Sequence, residues 1–228
     1  MLFTIRDLEN LSGIKAHTIR IWEQRYSFLK PKRSDTNIRF YSNDELKIIL
    51  NIALLNKHGY KISQIDKMDR EAMFNCVLSL TQEEAKTNVI VNQLLECMIE
   101  FDIERFEKIL NKCIGTTGIE KTISQIIFPF LDKVGILWLT NHLIPVQERL
   151  VSNVIRQKII VGIDSLSPAP ASGLRICLFL PESEYHELSL LFVAFLLKKK
   201  GINIIYLGAN IPMDELKTVV TIKKPDYL

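Results

Sequence analysis

Long apolar runs are missing from this sequence. No stretch approaches the roughly 18 uninterrupted apolar residues of a membrane-spanning helix, so the 47% hydrophobic content reads as core. The start, Met1-Leu2-Phe3-Thr4-Ile5-Arg6-Asp7, brings an arginine and an acid before the apolar segment of a secretory leader can form. Cysteine is sparse and scattered. Cys76, Cys97, Cys113 and Cys177 have neither disulfide-framework nor zinc-site spacing. They read as small core residues in a reduced compartment, and a cytoplasmic protein is expected. No paired carboxylates, nucleophile–base set or glycine-rich phosphate loop stands out, which points away from an enzyme.

What is present is organised around one basic stretch. From Lys15 to Tyr41 there are seven basic residues (Lys15, Arg20, Arg25, Lys30, Lys32, Arg33, Arg39) against two acidic ones (Glu23, Asp35), a local balance of +5, whereas the whole 228-residue chain carries +3. That concentration suits a phosphate-binding surface. Residues 15–26 have helical spacing, with Ile19, Trp22 and Tyr26 on one face and His17, Arg20 and Gln24 on the other. A short helix precedes them, capped by Thr4 with Asp7 in its first turn, and Ser12-Gly13 makes the turn between the two. Residues 31–41 then read as a two-stranded wing, and Ser42 with Glu45 forms a capping box for a helix to about Lys57, ended by Gly59.

These residues resemble a known family. Thr18-Ile19-Arg20-Ile21-Trp22-Glu23-Gln24-Arg25-Tyr26, followed by Pro31, Arg33 and Arg39-Phe40-Tyr41-Ser42, is similar to the winged helix-turn-helix of MerR-family transcriptional regulators. The Arg-x-Trp-Glu-x-Arg-Tyr form looks like the CarH/LitR branch, and the likeness covers about the first 70 residues. The resemblance implies that the second helix enters the major groove of double-stranded operator DNA while the wing grips the flanking backbone. Arg20, Arg25, Arg33 and Arg39 would meet phosphates or base edges, and Thr18, Asn37 and Tyr41 would add hydrogen bonds. Lys15, His17, Trp22 and Tyr26 complete the candidate surface, with a core role for Trp22 kept open beside it.

The middle of the chain reads as a bundle of four amphipathic helices. Asp69 to Leu80 is helical. Thr81 with Glu84 forms a second capping box before a helix with Val89, Val91, Leu94, Leu95 and Met98 on its apolar side. Asp102 caps the next helix, with Phe106, Ile109 and Leu110 inward. Gly115 and Gly118 bracket a loop, a helix from Ile119 to about Trp138 bends at Pro129, and Pro145 opens the last. Trp138, nine residues, then Glu148 resembles the Trp and Glu-His motif of CarH-like cobalamin-binding bundles. That resemblance implies a tryptophan over the upper face of the corrin. Arg149 stands in place of the family's histidine and cannot ligate cobalt, because a guanidinium stays protonated. His142 is the alternative ligand nearby, and plain core packing is the alternative role for Trp138.

Ser165 to Gly173 has linker composition. Strand, helix, strand and helix follow (174–180, 187–200, 202–207, 212–220), with Pro225-Asp226-Tyr227-Leu228 as the opening of a third strand. Such alternation predicts a parallel doubly wound sheet. Two complete units are fewer than such sheets need, so the chain is expected to be truncated. Glu184-Tyr185-His186-Glu187-Leu188-Ser189 resembles the Asp-x-His-x-x-Gly signature of cobalamin-binding Rossmann-like domains. His186 would be the lower cobalt ligand, the sole metal-ligating residue expected here and only where cobalamin binds, and Glu184 would orient it. Ser189 replaces the glycine.

The expected fold is mainly α and multi-domain: a winged helix-turn-helix (1–75), a helical bundle (76–164), a linker (165–173) and the incomplete start of a Rossmann-like α/β domain (174–228). The expected function is a homo-oligomeric DNA-binding regulator, dimer or tetramer, whose C-terminal part senses cobalamin as adenosylcobalamin in the intact protein. The chain as it stands is expected to retain none. Two other readings stand beside it: a regulator with a degenerate, cobalamin-independent sensor, and a corrinoid-dependent enzyme or methyl carrier, against which the winged helix argues.

Overall fold

A computed structural model describes residues 2–34, 37–80, 83–139, 143–166 and 173–228. The chain falls into two compact units. One comprises Met1–Thr116 with Lys121–Leu150, the other Thr117–Glu120 with Val151–Leu228.

The first unit begins with strand β1 (Leu2–Phe3) and helices α1 (Ile5–Ser12) and α2 (Ala16–Arg25), followed by strands β2 (Lys32–Arg33) and β3 (Arg39–Ser42). Thr4 and Asp7 form a reciprocal capping box at α1, the Thr4 amide donating to Asp7 Oδ2 at 2.6 Å. β2 and β3 pair antiparallel as the expected wing. The sheet has one strand more than expected, because β1 also pairs with β3 and sets Phe3 opposite Tyr41. Both rings are fully buried, which is the apolar gain that holds so short a strand in place.

Helix α3 (Asn43–Lys57) carries the Ser42/Glu45 capping box in full. It leads through a short α4 (Ile62–Ile65) to α5 (Arg70–Leu78), capped by Asp69. Two long helices come next, α6 (Glu83–Glu100) and α7 (Ile103–Thr117). Thr81 lies outside the described residues, as does the Glu84 side chain, so that cap is not seen. Asp102 caps α7 by accepting from the Arg105 amide at 3.0 Å. Val91, Leu94, Leu95 and Met98 of α6 and Phe106 and Leu110 of α7 are buried. Val89 and Ile109 are only half-buried.

Two expectations need correction here. Gly115 lies inside α7, so no loop runs from it to Gly118; the break is at Gly118 alone, at φ +82°, where a residue without Cβ adopts the left-handed turn at no steric cost. Helix then resumes as α8 (Ile119–Thr122), passes through a π turn (Ile123–Ile127) and continues as α9 (Phe128–Leu139). The irregularity therefore precedes Pro129. In it the Phe128 amide bonds to Ile123 O, five residues back, just ahead of a residue that offers no N–H. Phe106 and Phe130 meet at 5.5 Å between ring centroids and join α7 to α9.

Helix α10 (Pro145–Asp164) crosses from the first unit to the second and runs slightly beyond the expected end near Val161. The expected linker falls mostly on 167–172, outside the described residues. In the second unit β4 (Arg175–Pro181) and β5 (Asn203–Ile211) pair in parallel, joined by α11 (Leu188–Lys199), with α12 (Met213–Lys223) following. Tyr227 bridges to Ile176 on the other edge of β4, so β4 is central, as in a doubly wound order. β5 runs four residues past its expected end at Leu207. Its register slips near Gly208, whose φ of +86° lies in the left-handed region and where an added Cβ would come within 3.2 Å of Glu187 Oε1.

Candidate functional site

The exposed face of α2 is built by two buried anchors. Ile19 and Trp22 pack inward, and Trp22 meets the edge of Phe28 at 6.1 Å between centroids. His17, Thr18, Arg20, Gln24 and Arg25 lie on the remaining arc, Thr18 half-buried and the others exposed. Lys15, at the start of the helix, pairs with Glu9 at 3.3 Å and remains largely in solvent. In the wing, Arg33 donates to Asn37 Oδ1 at 2.6 Å, and Asn37 takes the left-handed conformation at φ +63°.

Three candidate residues do not stand free on this face. Trp22 is core. Tyr41 is fully buried and its hydroxyl donates to Glu23. Burial, with that hydrogen bond second, holds the phenol far above its ordinary range. Tyr26 is half-buried and stacked on Phe28 at 5.6 Å. Arg39 is intermediate: its Nε donates to Glu23 Oε2 at 2.8 Å with the Glu23 side chain 8% exposed. A phosphate at Arg39 would therefore compete with a carboxylate already in place.

On the bundle, Trp138 stands on α9 with 50% of its surface exposed, so full core packing does not describe it. Glu148 is half-buried and Arg149 exposed in the first turns of α10. Gln147 beside them is buried. Its Oε1 accepts from the Ile144 amide at 3.1 Å, and its Nε2 donates to Ile99 O at 3.1 Å and Met98 O at 3.4 Å. It thereby ties the start of α10 to the carbonyl end of α6 and fixes the direction in which Glu148 and Arg149 leave the helix. His142 lies outside the described residues.

In the second unit the loop after β4 presents His186 with its side chain 94% exposed. Glu184 Oε1 sits 2.6 Å from His186 Nδ1 and accepts from the His186 amide at 2.8 Å. These hydrogen bonds from His186 hold the Glu184 carboxyl below its usual range. With Nδ1 engaged, Nε2 is the nitrogen turned outward, the donor set a metal-ligating histidine needs. The loop is pre-shaped. Ser183 is held at φ +72° by its amide donating to Asn210 Oδ1 at 2.9 Å, and the Asn210 amide returns a bond to Glu184 O at 3.1 Å. Glu187 closes the base, accepting from Tyr206 Oη at 2.8 Å and pairing with Arg156. Among the described residues no cluster of three or more His, Cys, Asp or Glu could hold a metal by itself, and no helix is long and apolar enough to cross a membrane.

Comparison with known proteins agrees with both regions. Residues 3–72 match the MerR HTH family regulatory protein family, and residues 90–161 match a B12 binding domain. The HTH-type transcriptional repressor CarA of Myxococcus xanthus is 28% identical over 230 residues, spanning 100% of this chain and 75% of its own. The repressor CarH of the same organism is 25% identical, over 99% of this chain and 77% of its own. The HTH-type transcriptional regulator MlrA of Escherichia coli K12 is 31% identical over 64 residues, 28% of this chain and 26% of its own. The chain is similar to the CarA and CarH repressors along its length and joins a MerR HTH region to a B12-binding region. It is a DNA-binding protein with a cobalamin-binding-like region, mainly helical and multi-domain.

Within this regulator, four residues escape sequence reading. Glu23 was visible only as one acid in a basic stretch, yet it collects Arg39 and Tyr41 on the inner side of α2. Gln147 and Glu187 carry no motif; their roles come from partners 48 and 19 residues away. Ile21 is 44% exposed and belongs, by helical spacing, to the same stripe as His17, Thr18, Gln24 and Arg25. An isoleucine among polar neighbours is the clue, and the alternation of the motif hides it.

Proposed function

We propose that the regulator binds operator DNA through the outer face of α2 and the wing, and that cobalamin is its signal. On the DNA side, His17, Thr18, Arg20, Ile21, Gln24 and Arg25 face the major groove, while Lys15, Arg33 and Asn37 lie along flanking phosphates. Two or four copies assemble, because MerR-type winged domains read a repeated or two-fold site and symmetry is the economical way to present two of them. It acts as a regulator, not as an enzyme, in the compartment that holds the DNA.

The observation that carries the cofactor reading is the Glu184–His186 pair, with Nδ1 held and Nε2 outward on an exposed, pre-shaped loop. His186, oriented by Glu184, would ligate the cobalt, and Trp138, Glu148 and Arg149 would be the bundle's contacts with a corrin. Bound cobalamin supplies a light-sensitive cobalt–carbon bond when its upper group is adenosyl. Arg149 favours a second reading, in which no second protein ligand replaces that group after illumination and the response is to cobalamin occupancy alone.

The test is a visible absorption spectrum of the protein after mixing with adenosylcobalamin in the dark and desalting. A corrin spectrum that co-elutes and changes on His186→Ala supports the sensor. Colourless protein that still binds DNA refutes it. A spectrum that then shifts on illumination means that a ligand other than residue 149 completes the cobalt.

A further inference from the structure

One lysine in the first unit has no acidic partner among the described residues. Lys133 lies on α9, five residues before Trp138, and is half-buried. Its Nζ donates to Asn92 Oδ1 on α6 at 2.8 Å, and its other two N–H groups find no acceptor among the described residues. Burial alone lowers its pKa to about 8, with no carboxylate opposing the effect. Lysine stems usually carry the ammonium out to water, and a cation drawn partly out of water without an opposite charge is a standing cost.

The surroundings explain what that cost could serve. Lys133 lines an open cleft of about 230 Å³ formed where α1 and α3 of the winged domain meet α6 and α9. The polar lining is Ser12, Lys57, Asn88, Asn92 and Lys133, and the rest is apolar apart from Gly13. No aspartate or glutamate lines it, so the cleft holds two cations and two carboxamides with no acid. Asn92 is itself buried and directs its oxygen at the ammonium, which leaves its NH2 group as a donor. A corrin is far too large for this volume. Ammonium and amide N–H groups around a small cleft are the donor set for an oxyanion, in which each charge-assisted bond is stronger than a neutral one.

We propose that this cleft is a binding site for a small oxyanion, a carboxylate or a phosphate group, held by Lys133 with Lys57 and the two asparagines. The proposal is independent of the cobalamin reading. Because the cleft is walled by winged-domain helices on one side and bundle helices on the other, its occupant bears on both.

The experiment compares thermal unfolding of the full chain in sodium chloride, sodium phosphate and sodium succinate at matched ionic strength and pH 7. It is paired with 15Nζ NMR of the lysines. Phosphate or succinate is expected to raise the wild-type midpoint and to move the Lys133 titration upward. The gain should fall away as pH passes 8 to 9 and the ammonium deprotonates. Lys133→Met, which keeps the stem packed, is expected to weaken the anion about tenfold or more, and Lys133→Arg to preserve part of the effect. An Arg20→Ala, Arg25→Ala double variant should keep it in full, which separates the cleft from the basic face of α2. A response to phosphate but not succinate assigns the site to phosphate groups, and the reverse assigns it to carboxylates. Equal stabilisation of Lys133→Met, or no anion-specific effect in the wild type up to about 10 mM, overturns the proposal.

Discussion

Glu23 and Glu184 do the same thing in different solvents. Each holds a basic side chain at hydrogen-bond distance, Arg39 at 2.8 Å and His186 at 2.6 Å. The Glu23 side chain is 8% exposed and that of Glu184 44%. Inside, the carboxylate must be satisfied on every side, and it recruits Tyr41 as well as Arg39. Its partners are thereby committed to structure. Outside, water competes for the carboxylate, so Glu184 adds little to stability and is free to orient a ring whose other nitrogen faces solvent. Burial decides which acid–base pair is architecture and which is equipment.

The largest effect should come from breaking the inner pair. Glu23→Ala strands a buried Tyr41 hydroxyl and an arginine and is expected to cost about 3 kcal/mol in denaturant unfolding. Glu184→Ala should leave the melting temperature where it is. Comparable losses from both would break the contrast.

Lys133 sharpens it from the other side, as a half-buried charge with no partner acid among the described residues. Lys133→Met is expected to stabilise the protein by about 2 kcal/mol at pH 7, since a displacement from 10.5 to about 8 is a penalty carried wherever the folded state is still protonated. Between those two values the unfolded chain binds the extra proton. Wild-type stability should therefore rise with pH across that window, and the rise should vanish in Lys133→Met.

Smaller differences are expected on DNA. Arg20→Ala should lower the slope of log K against log salt by about one unit. Arg39→Ala should lower it by less, because Glu23 already neutralises that guanidinium. Equal slopes would mean that DNA pulls Arg39 away from Glu23. The smallest effect belongs to Ile21, whose exposed side chain suits a thymine methyl. With duplexes selected from a random pool, Ile21→Ala should lose about three- to fivefold in affinity, roughly one methyl group of burial. Replacing the contacted thymine by deoxyuracil should cost the wild type a similar factor and the variant nothing.

Much of the winged domain was readable in advance because its signals are local. A capping box needs residues three apart, a helix face needs a period of 3.6, and Thr4, Ser42, Ile19 and Trp22 all stand where those periods put them. For Tyr41 and Arg39 the family resemblance implies DNA contacts. Their true direction depends on Glu23, 18 and 16 residues away. The loop at His186 was recognisable from its spacing, while the clamp by Asn210 and the base formed by Glu187, Arg156 and Tyr206 were not.

Sequence alone determined most of the segments that form helices and strands, the basic stretch, the likeness to MerR and cobalamin-binding proteins, and the spacing of Glu184 from His186. These rest on backbone preferences and periodicity, which a few neighbouring residues settle between them. Tertiary structure alone decided that β1 joins the wing, that a π turn precedes Pro129, that Tyr41 turns inward, and that Lys133 meets Asn92 in a cleft without an acid. Each of those depends on which distant side chains share a volume from which water is excluded, and there the strength of every charge and hydrogen bond is set by burial.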